Sequence, residues 1–221
     1  MESEVIQKLV HDVLKPIRSA GDCFSLMNAG AGEVMKPEML STLASGLEHS
    51  AKALQDFGTI TLCNDARDHS AEVLDWTSLV GDHVDRLRTR KKLVIESALE
   101  EGPLKSKGFA GLAAAALDNL TWFATHYGNK LTGITLKALQ PSEGGNALSL
   151  TYRIQTPMSL NTDFGRFGPF FALSKETLSL THNTGLLLHA VKQIAELHAG
   201  TLNFRSDQNH AALELVLPLR Q

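Results

Sequence analysis

Residues 6–27 read IQKLVHDVLKPIRSAGDCFSLM, and this stretch decides the fold of the first third of the chain. Its apolar residues follow one another at alternating steps of four and three: Ile6, Val10, Val13, Ile17, Ala20, Phe24 and Met27. This spacing is typical of a helix that packs in a left-handed bundle. In that frame His11 points outward to solvent, with Asp12 beside it. Pro16 follows five residues after His11.

A second helix follows a glycine-containing break at residues 28–32, and Pro37 opens it. Its apolar seam consists of Leu40, Leu43, Leu47, Ser50 or Ala51, Leu54 and Phe57. Because the connection is short, the two helices must lie antiparallel as a hairpin. One hairpin cannot cover its own apolar stripe, so the sequence predicts a homodimer in which two hairpins form a four-helix bundle.

Composition narrows the functional classes. The chain has 221 residues and a formal net charge of −3, which does not favour a nucleic-acid or anionic membrane partner. There is neither an apolar run long enough to cross a bilayer nor a signal peptide, so we expect a cytoplasmic protein that does not bind membranes. Cys23 and Cys63 lack the spacing of a zinc site and are expected to be reduced thiols.

The remaining two thirds change periodicity. Residues 92–99 resemble a strand, residues 108–127 an apolar helix, and residues 134–140 and 147–154 two alternating strands joined by a turn. An amphipathic helix at 184–198 and two final strands complete the pattern. We therefore expect an α+β protein: a helical hairpin at 1–68 followed by an α/β sandwich at 69–221.

Four motifs, in the correct order, resemble the catalytic core of bacterial sensor histidine kinases. HDVLKP (residues 11–16) is similar to their H-box, which carries the phosphorylated histidine. ALDNLTWFATHY (116–127) is similar to the N-box, FGPFF (167–171) to the F-box, and residues 183–206 to the last glycine box. The resemblance implies a sandwich of the GHKL ATPase type, which binds ATP in active members.

Several nucleotide-site positions depart from this family. The metal-binding asparagine expected four residues after Asn119 is Phe123, which has no oxygen for a hard cation. The stretch that should hold the adenine-binding aspartate and glycines, residues 154–159, has neither residue type. In the last glycine box only Gly185 remains, flanked by Asn183 and Leu187. We expect this chain to bind no nucleotide, metal or other cofactor, although residues 163–165 (DFG) offer a displaced adenine loop as an alternative.

The resemblance assigns roles on the hairpin. It implies that His11 accepts the phosphoryl group, and that Asp12 orients the ring or takes its second proton. Lys15, one turn further along, is either a phosphoryl contact or a solvated lysine. Magnesium is expected from the partner, a response-regulator receiver domain with its own acidic cluster.

Three functions stay open at this point. The leading one is a histidine phosphotransferase that relays phosphate between receivers, similar in build to the ChpT-type phosphotransferases. The second is a pseudo-histidine-kinase that binds and regulates a kinase or response regulator. The third is an ATP-dependent histidine kinase with a divergent site.

Overall fold

A computed structural model describes residues 2–28, 36–126, 130–139, 146–155, 184–206 and 210–219. The helices are α1 (Glu2–Asn28), α2 (Lys36–Asp65), α3 (Trp76–Thr89), α4 (Ala110–His126) and α5 (Thr184–Leu197). The strands are β1 (Glu72–Asp75), β2 (Glu96–Leu99), β3 (Lys105–Gly108), β4 (Lys130–Leu139), β5 (Ala147–Gln155), β6 (Thr201–Ser206) and β7 (His210–Pro218). The α+β fold expected from the sequence is confirmed.

Helices α1 and α2 form the antiparallel hairpin. Pro16 lies well inside α1 and is buried against α2, where a Cβ on Gly46 would come within 3.3 Å of the Pro16 Cβ. The Ser50 hydroxyl donates to the Gly46 carbonyl oxygen at 2.9 Å and reaches the Val13 carbonyl oxygen at 3.4 Å. Gly46 therefore gives α1 room to approach closely at its proline.

The predicted apolar seam divides into two faces. The side of α1 turned toward the protein holds Val5, Asp12 and Pro16, with Leu9 and Val13 half-buried. A second, exposed stripe recurs every seven residues and consists of Val10, Ile17 and Phe24 on α1 and Leu40, Leu47 and Leu54 on α2. Val10 therefore does not face the core of the single chain, as the sequence frame had placed it, because the hairpin is packed through the neighbouring positions.

The sandwich is built on a mixed five-stranded sheet in the order β2-β4-β5-β7-β6. Strands β2 and β4 are parallel, and the other neighbouring pairs are antiparallel. Alternate residues of β7, from Ala211 to Leu217, belong to the main core together with residues of α3, α4 and α5. The helices therefore cover one face of the sheet, as the period of two along β7 requires.

Helix α5 joins the sandwich to the hairpin. Its residues Leu187, Val191 and Ile194 lie in the core of the sandwich, whereas Leu186 and Ala190 pack with hairpin residues such as Ala53. The sequence predicted an amphipathic helix, but α5 is buried on two sides because it lies between two packed units.

Sequence reasoning missed the first elements of the sandwich. Strand β1 pairs antiparallel with β3, and α3 follows β1 directly. Asp75 caps the N-terminus of α3, where its carboxylate accepts from the backbone N–H groups of Thr77 and Ser78. This capping aspartate before an amphipathic run was a readable signal. No helix within the described ranges combines the length and the hydropathy needed to span a membrane.

Candidate functional site

His11 and Asp12 form a pair on α1 with very different solvent exposure. The His11 side chain is 57% exposed, whereas Asp12 is fully buried and is therefore not a surface residue. His11 Nδ1 lies 3.0 Å from Asp12 Oδ1. A carboxylate only accepts hydrogen bonds, so Nδ1 carries the proton and the lone pair of the neutral ring is on Nε2. The geometry therefore presents Nε2 of an accessible ring as the nucleophilic atom.

Lys15 is exposed on the same helix, one turn beyond His11. Residues four apart lie on the same face of a helix, which brings the two side chains into the same neighbourhood. Its assignment as a phosphoryl contact stays a prediction.

Asn119 of the N-box-like segment is bound to the hairpin. It is buried on α4, where its Oδ1 accepts from Lys52 Nζ at 2.7 Å and its Nδ2 donates to Asp56 Oδ1 at 3.0 Å. Lys52 also donates to Asp56, one turn further along α2. Both polar atoms of the Asn119 amide are thus engaged by α2.

The Lys52–Asp56–Asn119 network is deeply buried, and its ionisation reflects that burial. Burial raises the pKa of Asp56 to about 6 despite the neighbouring ammonium, and burial lowers the pKa of Lys52. Asp56 Oδ2 has no hydrogen-bond partner among the described residues. Trp122 of α4 flanks the network, with its ring centroid 6.0 Å from Lys52 Nζ. Sequence reasoning missed this network, because nothing in the α2 pattern distinguishes Lys52 and Asp56 from an ordinary exposed ion pair at i, i+4.

The other nucleotide-site positions are apolar or lie at the edge of the described residues. Phe123 is only 2% exposed and belongs to the main core, and Leu187 is fully buried in the same cluster. Gly185 lies in the first turn of α5. Asn183, the F-box-like residues 167–171, the DFG stretch at 163–165 and residues 156–159 of the expected adenine loop fall outside the described residues. The phenyl and isobutyl groups at the two described positions offer no ligand atom to a metal ion or phosphate.

His198 has a structural role in the sandwich. His198 Nδ1 donates to the Ile194 carbonyl oxygen at 2.7 Å, and its Nε2 accepts from the Phe109 backbone N–H at 3.2 Å. These two bonds require the neutral ring, and burial correspondingly lowers its pKa. His198 therefore ties the end of α5 to the start of α4.

His83 supplies a prediction about acid stability. Its Nε2 lies 2.8 Å from the Thr121 hydroxyl, and burial lowers its pKa from 6.5 to about 4. Because the folded-state pKa lies below the unfolded one, its stabilising contribution is present above pH 6.5 and is lost as the pH falls from 6.5 toward 4. We expect the difference in unfolding free energy between wild type and His83→Gln to shrink by up to about 3 kcal/mol between pH 7 and pH 4.

Urea denaturation of both proteins at each pH measures this difference. The raised pKa of Asp56 changes the stability of the protein with pH in the opposite direction. Because Asp56 is present in both proteins, its contribution cancels when their unfolding free energies are subtracted. The exposed His69, replaced by glutamine, serves as the matched control for the loss of a surface histidine. A constant difference between wild type and His83→Gln across this range would contradict the prediction.

Comparisons with known proteins agree with this architecture. No protein-family model matches the chain, and no curated protein matches it in sequence. The structure resembles the histidine kinase AdeS of Acinetobacter baumannii, with 18% identity, a TM-score of 0.66, and 96% of this chain and 98% of that one covered. It also resembles the mycobacterial sensor histidine kinase MprB at 21% identity, with a TM-score of 0.53 over 68% of this chain and 98% of that one.

The cytoplasmic segment of the histidine kinase QseC gives 17% identity and a TM-score of 0.50 over 77% of this chain and 93% of that segment. At these identities the likeness concerns the fold. The chain therefore has the fold of a histidine kinase core, with a helical hairpin joined to an ATPase-type sandwich.

Proposed function

We propose that this chain is a histidine phosphotransferase that relays a phosphoryl group between response-regulator receiver domains through His11. The observation that carries the proposal is the exposed His11 ring, whose Nδ1–H is held by the buried Asp12 carboxylate. This arrangement leaves the Nε2 lone pair available to a partner, and it stabilises the positive charge that develops on the ring during transfer.

The transfer is a displacement at phosphorus. Nε2 forms a bond to phosphorus while the bond to the receiver's aspartyl oxygen breaks, and that aspartate leaves as a carboxylate. The proton on Nδ1 stays in its hydrogen bond to Asp12 throughout. A second receiver aspartate then attacks the phosphohistidine, and Nε2 leaves with its electron pair. Charge neutralisation on the phosphoryl oxygens is expected from the receiver's magnesium, with Lys15 as a further cation.

Loss of nucleotide binding is part of the proposal. It is supported by Asn119, whose amide is engaged by Lys52 and Asp56, and by the buried side chains at Phe123 and Leu187. We therefore assign the sandwich a scaffolding role, without a cofactor of its own. A cytoplasmic site of action stays a prediction from the sequence.

The test of transfer uses the whole chain and a panel of phosphorylated receivers. Labelled phosphate should move from at least one receiver to the chain, in an acid-labile and base-stable form expected of phosphohistidine. Transfer to no receiver would overturn the relay and favour the pseudo-kinase that acts by docking.

The second prediction is that the chain does not bind ATP. Because the fold is shared with ATP-dependent histidine kinases, calorimetry with ATP or ADP and magnesium must separate the two functions. We expect no heat of binding at nucleotide concentrations up to about 1 mM, which corresponds to less than about 4 kcal/mol of binding free energy. Micromolar binding, with label appearing on His11 from ATP, would establish the divergent kinase instead.

Dimerisation is the third prediction, and it concerns the exposed apolar stripe. Leu47 is 57% exposed and Leu54 is 53% exposed, one heptad apart on α2. We expect wild type to be a homodimer and Leu47→Asp/Leu54→Asp to be monomeric, because charges placed in a four-helix-bundle seam would be buried without partners. Light scattering after size exclusion measures the mass. Leu62→Asp is the matched control and should stay dimeric, since Leu62 is equally exposed on α2 but lies off the stripe. A monomeric wild type would contradict the prediction.

A further inference from the structure

On the face of the sheet opposite the helices, a row of residues lies in register across all five strands. The pairs Glu96–Gly133, Gly133–Arg153, Arg153–Ala212 and Ala212–Arg205 connect β2, β4, β5, β7 and β6 in turn. Since Ala211 and Leu213 point into the core, Ala212 points to the opposite face, away from the helices. Two arginines, Arg153 and Arg205, thus lie on either side of Ala212 on this face.

The small residues Gly133 and Ala212 leave a groove along this row, which we call the trough. The guanidinium of Arg153 lies over Gly133, where an added Cβ would be 2.7 Å from Arg153 Nη2. Ala212 leaves the space between Arg153 and Arg205 unfilled. A cleft of about 830 Å³ results, and its ionisable lining residues are Glu96, Lys130, Arg153, Arg205 and His210.

The trough is basic in a chain of net negative charge. Among the described lining residues, Lys130, Arg153 and Arg205 outnumber the one carboxylate, Glu96, whereas the whole chain has a formal charge of −3. The Arg153–Glu96 pair is exposed at both ends, so it contributes little to stability and an incoming carboxylate exchanges with Glu96 at small cost. Arg205 is 80% exposed, and its partner Glu214, 3.5 Å away, is 18% exposed.

We propose that this trough is a docking site for an acidic segment of a partner protein. Arg153 and Arg205 are two strands apart, or roughly 10 Å, which suits two carboxylates of one extended segment. Guanidinium groups bind carboxylates through two parallel hydrogen bonds, which gives such a site its selectivity.

The chemistry favours an acidic peptide over a nucleic acid. The described lining has no Phe, Tyr or Trp side chain on which a base would stack. The site lies on the sheet face opposite the helices, so it is independent of the chemistry proposed for His11.

The test measures the binding of fluorescein-labelled hexaglutamate to the full chain by fluorescence anisotropy at low salt. Arg153→Ser/Arg205→Ser should weaken binding at least about tenfold, because two charge-assisted contacts are lost. Ala212→Trp, which fills the floor and keeps both arginines, should also weaken binding. Lys137→Ser is the matched control, because Lys137 is exposed on β4 outside the trough, and it should change affinity less than about twofold.

Three results would overturn the proposal. The first is no binding of hexaglutamate to wild type, and the second is equal binding by Arg153→Ser/Arg205→Ser. The third is tighter binding of labelled hexathymidylate than of hexaglutamate, which would indicate a nucleic-acid surface. Circular dichroism spectra of all variants show whether a lost signal reflects misfolding, and Ala212→Trp and Lys137→Ser keep the test decisive if the double variant does not fold.

Discussion

Replacing His11 with glutamine is expected to abolish phosphate acceptance from every receiver that labels the wild type. Glutamine keeps a similar size and a polar side chain, but its amide nitrogen has no available lone pair for attack on phosphorus. We expect the label on the chain to fall by at least about 1,000-fold, to the level of the unreacted blank. Transfer of radiolabel from a phosphorylated receiver, quantified after electrophoresis, measures this loss.

The structure offers a control for this substitution. His69 is an exposed histidine beyond the end of α2, and His69→Gln should leave transfer unchanged. Because His11 is bonded to the buried Asp12, urea denaturation of His11→Gln shows whether the lost label reflects the missing nucleophile or a destabilised fold. If His11→Gln retained the label, another residue would be the phosphate acceptor, and the proposed relay through His11 would lose its basis.

Breaking the Lys52–Asp56–Asn119 network is expected to destabilise the protein strongly. Replacing Lys52 with methionine leaves the buried Asp56 carboxylate without its ammonium partner, and such a loss costs about 3–5 kcal/mol. Asn119→Leu should cost less, about 1–3 kcal/mol, because it removes one amide and leaves the ion pair within α2. Urea denaturation at pH 7.5 measures both changes.

The pH dependence of Lys52→Met provides a second readout. The pKa of Asp56 is already raised by burial, and removing the cation raises it further. A carboxyl group with a raised folded-state pKa contributes stability at low pH and loses it as the pH rises through that pKa. Lys52→Met should therefore recover stability relative to wild type between pH 7.5 and pH 5.

Two further variants test whether the loss of stability in Lys52→Met comes from the unpaired buried carboxylate. One replaces the whole network with apolar side chains, and the other is a surface control. The triple variant Lys52→Met/Asp56→Leu/Asn119→Leu replaces the whole network with apolar groups and should be closer in stability to wild type than Lys52→Met alone. Asp22→Ala removes an exposed carboxylate from α1 and should have an effect below about 0.5 kcal/mol. A loss below about 1 kcal/mol for Lys52→Met would mean that the ammonium and carboxylate are solvated rather than buried between hairpin and sandwich.

Local patterns were sufficient for helix α1 of the hairpin and for strand β5. The four-and-three spacing from Ile6 predicted α1, and alternation predicted β5 at residues 147–154, which the structure extends by one residue. The strand expected at 92–99 begins only at Glu96; Lys92 adopts a positive φ of 53°, and the Leu93 N–H bonds back to the Leu87 carbonyl oxygen of α3. Such a backbone conformation depends on how the chain leaves α3 and has no signature in the composition of that segment.

The sequence by itself determined the order of the elements, the heptad stripe on the hairpin and the identity of His11 as an outward-facing imidazole. These properties follow from side-chain periodicity, which is local. Only the tertiary structure decided that Asp12 is buried beneath an exposed His11, that Asn119 is bound to α2, and that Arg153 and Arg205 flank Ala212. Each depends on which segments distant along the chain pack together, and burial and register are properties of that packing rather than of any one segment.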